Sequence, residues 1–129
     1  MRCRLNRRAD GKQREQATVL TKYAGVHGRR RISPALEWTG QPVGTQQLLL
    51  VIDDVDVPLP RPLLHCMVLL EPGLYRIADG ALRGCSRLGF IPTALSRAGY
   101  IEPRHTPGHG PRRYRFHTLA LDRSTPATR

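Results

Sequence analysis

Two aliphatic runs and one alternating run dominate the hydrophobic pattern of the chain. Gln46 to Asp53 (QQLLLVID) and Leu63 to Leu70 (LLHCMVLL) are nearly continuous runs of Leu, Val and Ile. Such runs, bounded by Gly, Pro and Asp, predict strands buried on both faces. Arg113 to Leu121 (RYRFHTLAL) alternates between two faces and predicts a third strand.

Prolines shape the segments around these strands. Pro58, Pro60 and Pro62 stand at alternate positions between the first two runs, so we expect an extended loop rather than a helix there. Pro34 and Pro42 bracket ALEWTGQ, which is too short for a helix and predicts an extended segment that anchors the only Trp in the core. The pattern therefore predicts an all-β core.

The remaining segments carry weaker signals. We expect a short strand over Thr18 to Tyr23, a weak helical tendency over Thr93 to Ala98 and an irregular loop over Glu102 to Pro111. The predicted organisation is a basic flexible arm over residues 1–17, one domain over residues 18–122 and a disordered tail over residues 123–129.

The positive charge of the chain is concentrated at its two ends. The 129 residues carry a formal charge of +11, of which +8 lies in residues 1–31, −1 in residues 32–101 and +4 in residues 102–129. A basic arm can bind nucleic acid or an anionic membrane by counterion release, or it can simply be solvated. The length fits one domain and excludes a multidomain enzyme.

Targeting and redox features are few. The three cysteines show no CxxC spacing, and the first 20 residues lack the apolar stretch of a signal peptide. No aliphatic run approaches the roughly 18 residues that span a bilayer. We therefore expect a cytoplasmic protein without cofactors, and the absence of phosphate-loop, GxSxG and HExxH motifs argues against an enzyme.

Asp54, Asp56 and His65 form the most suggestive chemical constellation. If the first long strand continues, both carboxylates point to one face, and the proline loop can return His65 beside them. Such a set can bind a metal, a phosphate or an amine, or perform acid–base chemistry. Alternatively, the aspartates merely cap a turn.

The second candidate region precedes and opens the third strand. Arg112, Tyr114 and Phe116 share one predicted face, and Arg113 and Arg115 share the other. His105 and His109 are four residues apart, but the surrounding prolines preclude the helix that would make this a metal-binding spacing, so we predict no metal site.

The ordered motifs ISPALEW, GTQQLLLVIDDVDVP, LLHCMVLL and EPRHTPGHGPRRYRFHTLALD resemble the phosphatidylethanolamine-binding protein (PEBP) family, and most of all the bacterial Raf kinase inhibitor-like proteins of the YbhB/YbcL type. The resemblance runs from about Val19 to Asp122. It implies two antiparallel β-sheets with Greek-key connections and a small anion-binding pocket at one end. In the family, that pocket accepts phosphate-like or phosphorylethanolamine head groups.

The family's ligand-binding residues carry over position by position. Asp54, Asp56 and Pro58 match an Asp-Pro-Asp-x-Pro turn, and His65 matches the His that opens the next strand. Pro103, Arg113 and Tyr114 match parts of a Gly-Pro-x-Pro-Pro loop and the His-Arg-Tyr that follows. The implied ligand-binding set is Asp54, Asp56, Pro58, His65, Pro103, Arg112 and Tyr114, in which carboxylates hold an ammonium while imidazole and hydroxyl groups hold phosphate oxygens.

Five positions depart from the family pattern. Val55 replaces the middle Pro of the turn, Glu102 replaces the Gly of the Gly-Pro loop, and His105 and Thr106 stand where Pro is usual. Arg112 stands where the family has a pocket His. Arg112 can either clamp an anion or fill the pocket by pairing with Asp54.

The chain is also short for the resemblance. Family members continue beyond the strand that ends at Leu121 with a helix and a final strand, which we expect to be missing. Either a homodimer covers the edge that this exposes, or the chain is a truncated, marginally stable relative. We expect a non-enzymatic binding protein for a phosphate or phosphorylated head group that modulates a partner protein. The alternative is a basic module that binds nucleic acid or anionic membrane and retains a vestigial pocket.

Overall fold

The computed structural model describes residues 3–6, 32–83, 88–95, 99–101, 108 and 112–126. Within these ranges the regular secondary structure consists of strands joined by turns and loops. The strands are β1 (Cys3–Asn6), β2 (Leu36–Thr39), β3 (Gln47–Asp54), β4 (Leu63–Leu70), β5 (Arg76–Ile77), β6 (Gly89–Phe90) and β7 (Tyr114–Leu121). No helix in the described ranges could cross a membrane. The predicted mainly β class is confirmed.

The strands form two sheets. The larger sheet has the order β6-β4-β3-β7 and is antiparallel throughout. The smaller sheet has the order β1-β2-β5, in which β2 and β5 are antiparallel but β1 and β2 are parallel. The expected antiparallel two-sheet fold is confirmed, and among the described strands the pairing of β1 with β2 is the one parallel exception.

β3 lies in the middle of the larger sheet and has one fully buried face. Leu48, Leu50 and Ile52 are buried, whereas Leu49 and Val51 between them are only half-buried. The prediction that this strand is buried on both faces is therefore wrong. Buried and half-buried residues alternate along it, as they do in a sheet with only one face on the core. We call the side of Leu48, Leu50 and Ile52 the core face and the opposite side the outer face.

Both sheets contribute to one hydrophobic cluster. Leu36, Trp38 and Ile77 of the smaller sheet join the core-face residues of β3 and β4. Trp38 is buried as predicted, and its indole Nε1 donates a hydrogen bond to the Leu74 carbonyl at 2.8 Å. The cluster fixes the larger sheet against the smaller one and so determines which way the strand ends face.

The long strands match their predictions closely. β4 has the predicted bounds, and β3 and β7 each begin one residue later than predicted. The helical tendency is not seen over residues 93–95. The strand predicted over Thr18 to Tyr23 lies outside the described residues.

The structure describes parts of the two terminal segments, which the sequence predicts to be a flexible arm and a disordered tail. Cys3–Asn6, within the predicted arm, forms β1. Thr125, within the predicted tail, exchanges two hydrogen bonds with the Gln47 side chain at 2.8 and 3.1 Å. The domain boundaries otherwise stay predictions.

Candidate functional site

Asp54 is a carboxylate at the end of the core face. It continues the series of Leu48, Leu50 and Ile52, which is why its side chain points inward and is completely buried. Its Oδ2 accepts a hydrogen bond from Arg112 Nη1 at 3.0 Å, and its Oδ1 accepts one from the Asp56 backbone N–H at 2.9 Å. Both carboxylate oxygens are therefore bonded inside the fold.

Asp56 lies beyond the strand end and is held by a different arginine. The Arg113 guanidinium donates to both carboxylate oxygens from Nε, at 3.1 and 2.9 Å, and from Nη2 to Oδ1 at 2.6 Å. The Arg113 backbone N–H adds a bond of 2.6 Å to Oδ2. These bonds from Arg113, first from its side chain and then from its backbone, lower the pKa of Asp56 from 3.8 to about 2.

His65 enters the site through an irregularity in the sheet. Between β3 and β4, Ile52 pairs with Cys66 and Asp53 pairs with Leu64, so His65 is an extra residue in β4. The bulge buries the imidazole, and its Nδ1 lies 3.0 Å from the Ile101 carbonyl oxygen. Its ring packs edge-on against the Tyr114 ring, with centroids 5.1 Å apart.

Tyr114, whose ring contacts the imidazole, stands directly opposite Asp54 in the β3–β7 register. Residues at such opposite positions share one face of a sheet. Asp54, His65 and Tyr114 are thus brought to one end of the larger sheet.

Arg112 pairs with Asp54, which is one of the two arrangements that the sequence left open. The ion pair is mostly dry, since the Arg112 side chain is 17% exposed and that of Asp54 is 0% exposed. A second nitrogen of this guanidinium, Arg112 Nε, is buried and has no hydrogen-bond partner among the described residues. The same holds for His65 Nε2.

The remaining predicted site residues are not brought into this group. Pro58 lies in the exposed turn between β3 and β4. Pro103, together with Glu102, His105 and His109, lies outside the described residues. Within the described ranges, no three His, Cys, Asp or Glu side chains gather as metal ligands.

The sequence reasoning missed a second polar cluster on the outer face. Arg115 donates to both oxygens of Asp53 at 3.1 and 2.7 Å, and His117 Nε2 lies 3.4 Å from Asp53 Oδ1. Alternation along the two strands could have revealed it, because Asp53 must face away from Asp54, and Arg115 away from Tyr114.

Cys66 is the neighbour of His65 but offers no nucleophile. It is buried in the core, and this burial raises the pKa of its thiol to about 12. The thiol is therefore uncharged at neutral pH, whereas the nucleophilic form of cysteine is the thiolate.

Comparison with solved structures identifies the fold. Escherichia coli YbcL, described as a new member of the mammalian PEBP family, superimposes with a TM-score of 0.70 at 22% identity, over 84% of this chain and 72% of YbcL. A putative PEBP homologue from Chlamydia trachomatis superimposes with a TM-score of 0.66 at 27% identity, over 85% of this chain and 72% of that protein. The two-sheet architecture is that of these proteins.

Sequence comparison extends the relationship. The phomoidride biosynthesis cluster protein B of Talaromyces stipitatus is 28% identical over 107 residues, covering 68% of this chain. The chain spans about two fifths (41%) of that curated relative's length. The family model described as phosphatidylethanolamine-binding protein matches residues 10–129, nearly the whole chain, and so the chain belongs to the phosphatidylethanolamine-binding protein family.

Proposed function

We propose that this chain is a non-enzymatic binding protein that takes a phosphate-like anion at the end of β3. The observation that supports this proposal best is the pair of buried nitrogens, His65 Nε2 and Arg112 Nε, that have no hydrogen-bond partner among the described residues. Buried polar atoms are nearly always hydrogen-bonded in a folded protein, so two such atoms at one strand end favour a ligand.

The chemistry of the two groups suits an anion. A guanidinium nitrogen is a permanent donor, and an imidazole can donate when it is protonated. Bonds from such groups to phosphate oxygens are charge-assisted and stronger than neutral ones. Membership of a family named for binding a phospholipid head group agrees with this choice.

A thermal shift experiment with one conservative variant tests the proposal. We expect inorganic phosphate at millimolar concentration to raise the Tm of the wild-type chain above that measured in sodium chloride of equal ionic strength. Arg112→Lys retains a cation for Asp54 but lacks Nε, so it should lose most of the shift.

Arg115→Lys is the matched control. It makes the same chemical change to the arginine that pairs with Asp53 on the outer face, and should therefore preserve the shift. An unchanged Tm in phosphate, or an equal loss of the shift in both variants, would contradict binding at this site.

The alternative of a basic module depends on the arm, of which residues 7–31 lie outside the described residues. It therefore stays a prediction.

A further inference from the structure

β7 forms a long edge of the larger sheet. Among the described strands the sheet has the order β6-β4-β3-β7, so β7 has a strand neighbour on one side only. β1 approaches β7 but pairs through its backbone with β2 of the smaller sheet. The strand at the opposite edge, β6, has two residues, whereas β7 pairs with β3 over eight residues in unbroken register.

The hydrogen bonds between β3 and β7 show which backbone groups lie on this edge. The carbonyls of Arg113 and Leu121 accept hydrogen bonds from the β3 side at 3.2 and 2.8 Å. Backbone groups of successive residues in a strand point to opposite sides, so the odd-numbered residues of β7 bond to β3. The N–H and C=O groups of Phe116, Thr118 and Ala120 therefore point outward, and the described part of the chain offers them no backbone partner.

β7 lacks the features that usually keep a sheet edge from pairing. Proteins protect such edges with lysine, proline, a β-bulge or a very short strand. The sequence of β7, YRFHTLAL, contains neither lysine nor proline, and its pairing with β3 has no bulge. Its arginine, Arg115, is near the start of the strand and is already paired with Asp53. The middle and end of β7 are therefore suited to pair with another strand.

We propose that two copies of the chain associate through β7, with the two strands antiparallel about a two-fold axis at Thr118. Such an axis brings the same edge of both copies together and keeps their core faces on one side. The two four-stranded sheets then form one continuous sheet. This inference does not depend on the proposed function, because it uses none of the side chains at the end of β3.

The side chains on the outer face favour this register. β7 is paired over most of its length only when the axis lies at His117 or Thr118, the two residues at its middle. An axis at His117 places the two imidazoles directly opposite each other, where they repel when they are protonated. An axis at Thr118 instead places each His117 opposite Leu119 of the second copy.

The hydroxyl group of Thr118 favours the same register. Thr118 Oγ1 is buried and has no hydrogen-bond partner among the described residues. An axis at Thr118 places the two threonines directly opposite each other, and threonine pairs across antiparallel strands form side-chain hydrogen bonds. Each hydroxyl both donates and accepts, so one can satisfy the other. An axis at His117 would place Thr118 opposite Phe116, which offers no polar partner.

Sedimentation velocity of the full chain tests the association. The wild type should sediment with twice the mass of one chain near millimolar concentration and dissociate on dilution, because a contact between two strands is smaller than a standard interface. Leu119→Lys adds an edge lysine opposite His117 of the second copy and should leave the chain monomeric. Thr118→Pro removes an outward N–H but no hydrogen bond to β3, and should have the same effect.

Met67→Lys is the matched control. Met67 lies opposite Val51 on the outer face and is half-buried, as Leu119 is, but β4 is separated from the edge by β3. The new charge should therefore leave the association unchanged. Circular dichroism checks that each variant retains the strand content of the wild type.

Disulfide trapping tests the register. Cys3 and Cys85 are first replaced by serine, and Cys66 is retained because it is buried. An axis at Thr118 places position 117 of one copy opposite position 119 of the other, in a non-hydrogen-bonded pair where side chains are closest. A mixture of the His117→Cys and Leu119→Cys variants should therefore form a covalent dimer on oxidation, whereas neither variant alone should.

Each alternative result contradicts a part of the proposal. A wild-type chain that stays monomeric at millimolar concentration, or a dimer that persists in both Leu119→Lys and Thr118→Pro, would overturn pairing through β7. Covalent dimers of His117→Cys alone would place the axis at His117, and those of Leu119→Cys alone would place it at Leu119. Either result would overturn the register.

Discussion

Asp53 and Asp54 are neighbours at the end of β3, and each pairs with an arginine at the start of β7, but on opposite faces of the sheet. Asp54 ends the core face and pairs with Arg112 in a mostly dry setting. Asp53 ends the outer face and pairs with Arg115, whose side chain is 49% exposed.

Arg115 makes more hydrogen bonds to its aspartate than Arg112 does, although Arg115 is the more exposed of the two arginines. Arg115 donates to Asp53 through two nitrogens and can also contact water. Arg112 donates to Asp54 through Nη1, and its buried Nε has no hydrogen-bond partner among the described residues. Unsatisfied polar groups are costly in a dry setting and nearly free in a wet one. On the core face, one buried arginine nitrogen therefore has no hydrogen-bond partner among the described residues, whereas on the outer face Arg115 donates to both oxygens of Asp53.

The largest expected contrast between the faces is in packing. Leu50→Ala should lower the free energy of unfolding by about 4 kcal/mol, because Leu50 is completely buried in the core. Leu49→Ala removes the same atoms from the half-buried outer face and should cost clearly less. Urea denaturation measures both, and equal losses would show that the outer face is as well packed as the core.

The next contrast is between the two ion pairs. Arg112→Ala should cost about 3 kcal/mol, because it leaves the buried Asp54 carboxylate without its cation. Arg115→Ala should cost less, because the Arg115 side chain is 49% exposed and water can reach the place it leaves beside Asp53, although the Asp53 side chain itself is only 7% exposed.

A compensating variant separates charge from packing in this comparison. Adding Asp54→Asn to Arg112→Ala removes the unpaired charge and should restore part of the lost stability in urea denaturation. If the double variant is less stable than Arg112→Ala alone, the cost does not come from a stranded carboxylate.

The sequence predicted those parts of the fold that have a local periodic signal. The runs of β3 and β4 and the alternation of β7 exceed the length at which a strand pattern becomes recognisable. β5 and β6 are two residues each, which is too short for any period to show. The parallel pairing of β1 with β2 joins distant segments, and no local pattern encodes it.

For the site, the alternation along the strands predicted on which face of the sheet a side chain lies, but not which other side chain it contacts. It correctly placed Arg112 on the side of Tyr114, since Arg112 pairs with Asp54, and Arg115 on the other side, since Arg115 pairs with Asp53. Whether Arg112 reaches Asp54 depends on how β3 and β7 align, which only the folded sheet determines.

The orientation of His65 was harder to predict. A bulge adds one residue to a strand without changing its composition, so it leaves no trace in the hydrophobic pattern. The bond between His65 and the Ile101 carbonyl joins residues 36 positions apart, and no pattern in the sequence predicts it.

The smallest expected contrast concerns Asp56, whose partner Arg113 is 66% exposed. Because the pKa of Asp56 is lowered from 3.8 to about 2, its ion pair stabilises the fold fully above pH 3.8, and this contribution is lost as the pH falls towards 2. Asp56→Asn should therefore cost stability at neutral pH but much less at pH 2, where about half of the Asp56 carboxyl is already protonated in the folded chain, measured as the difference in urea midpoint from the wild type. The loss should be smaller than that of Arg112→Ala, because water screens the exposed pair. A difference that persists unchanged at pH 2 would mean that Asp56 acts through the shape of the turn rather than through its charge.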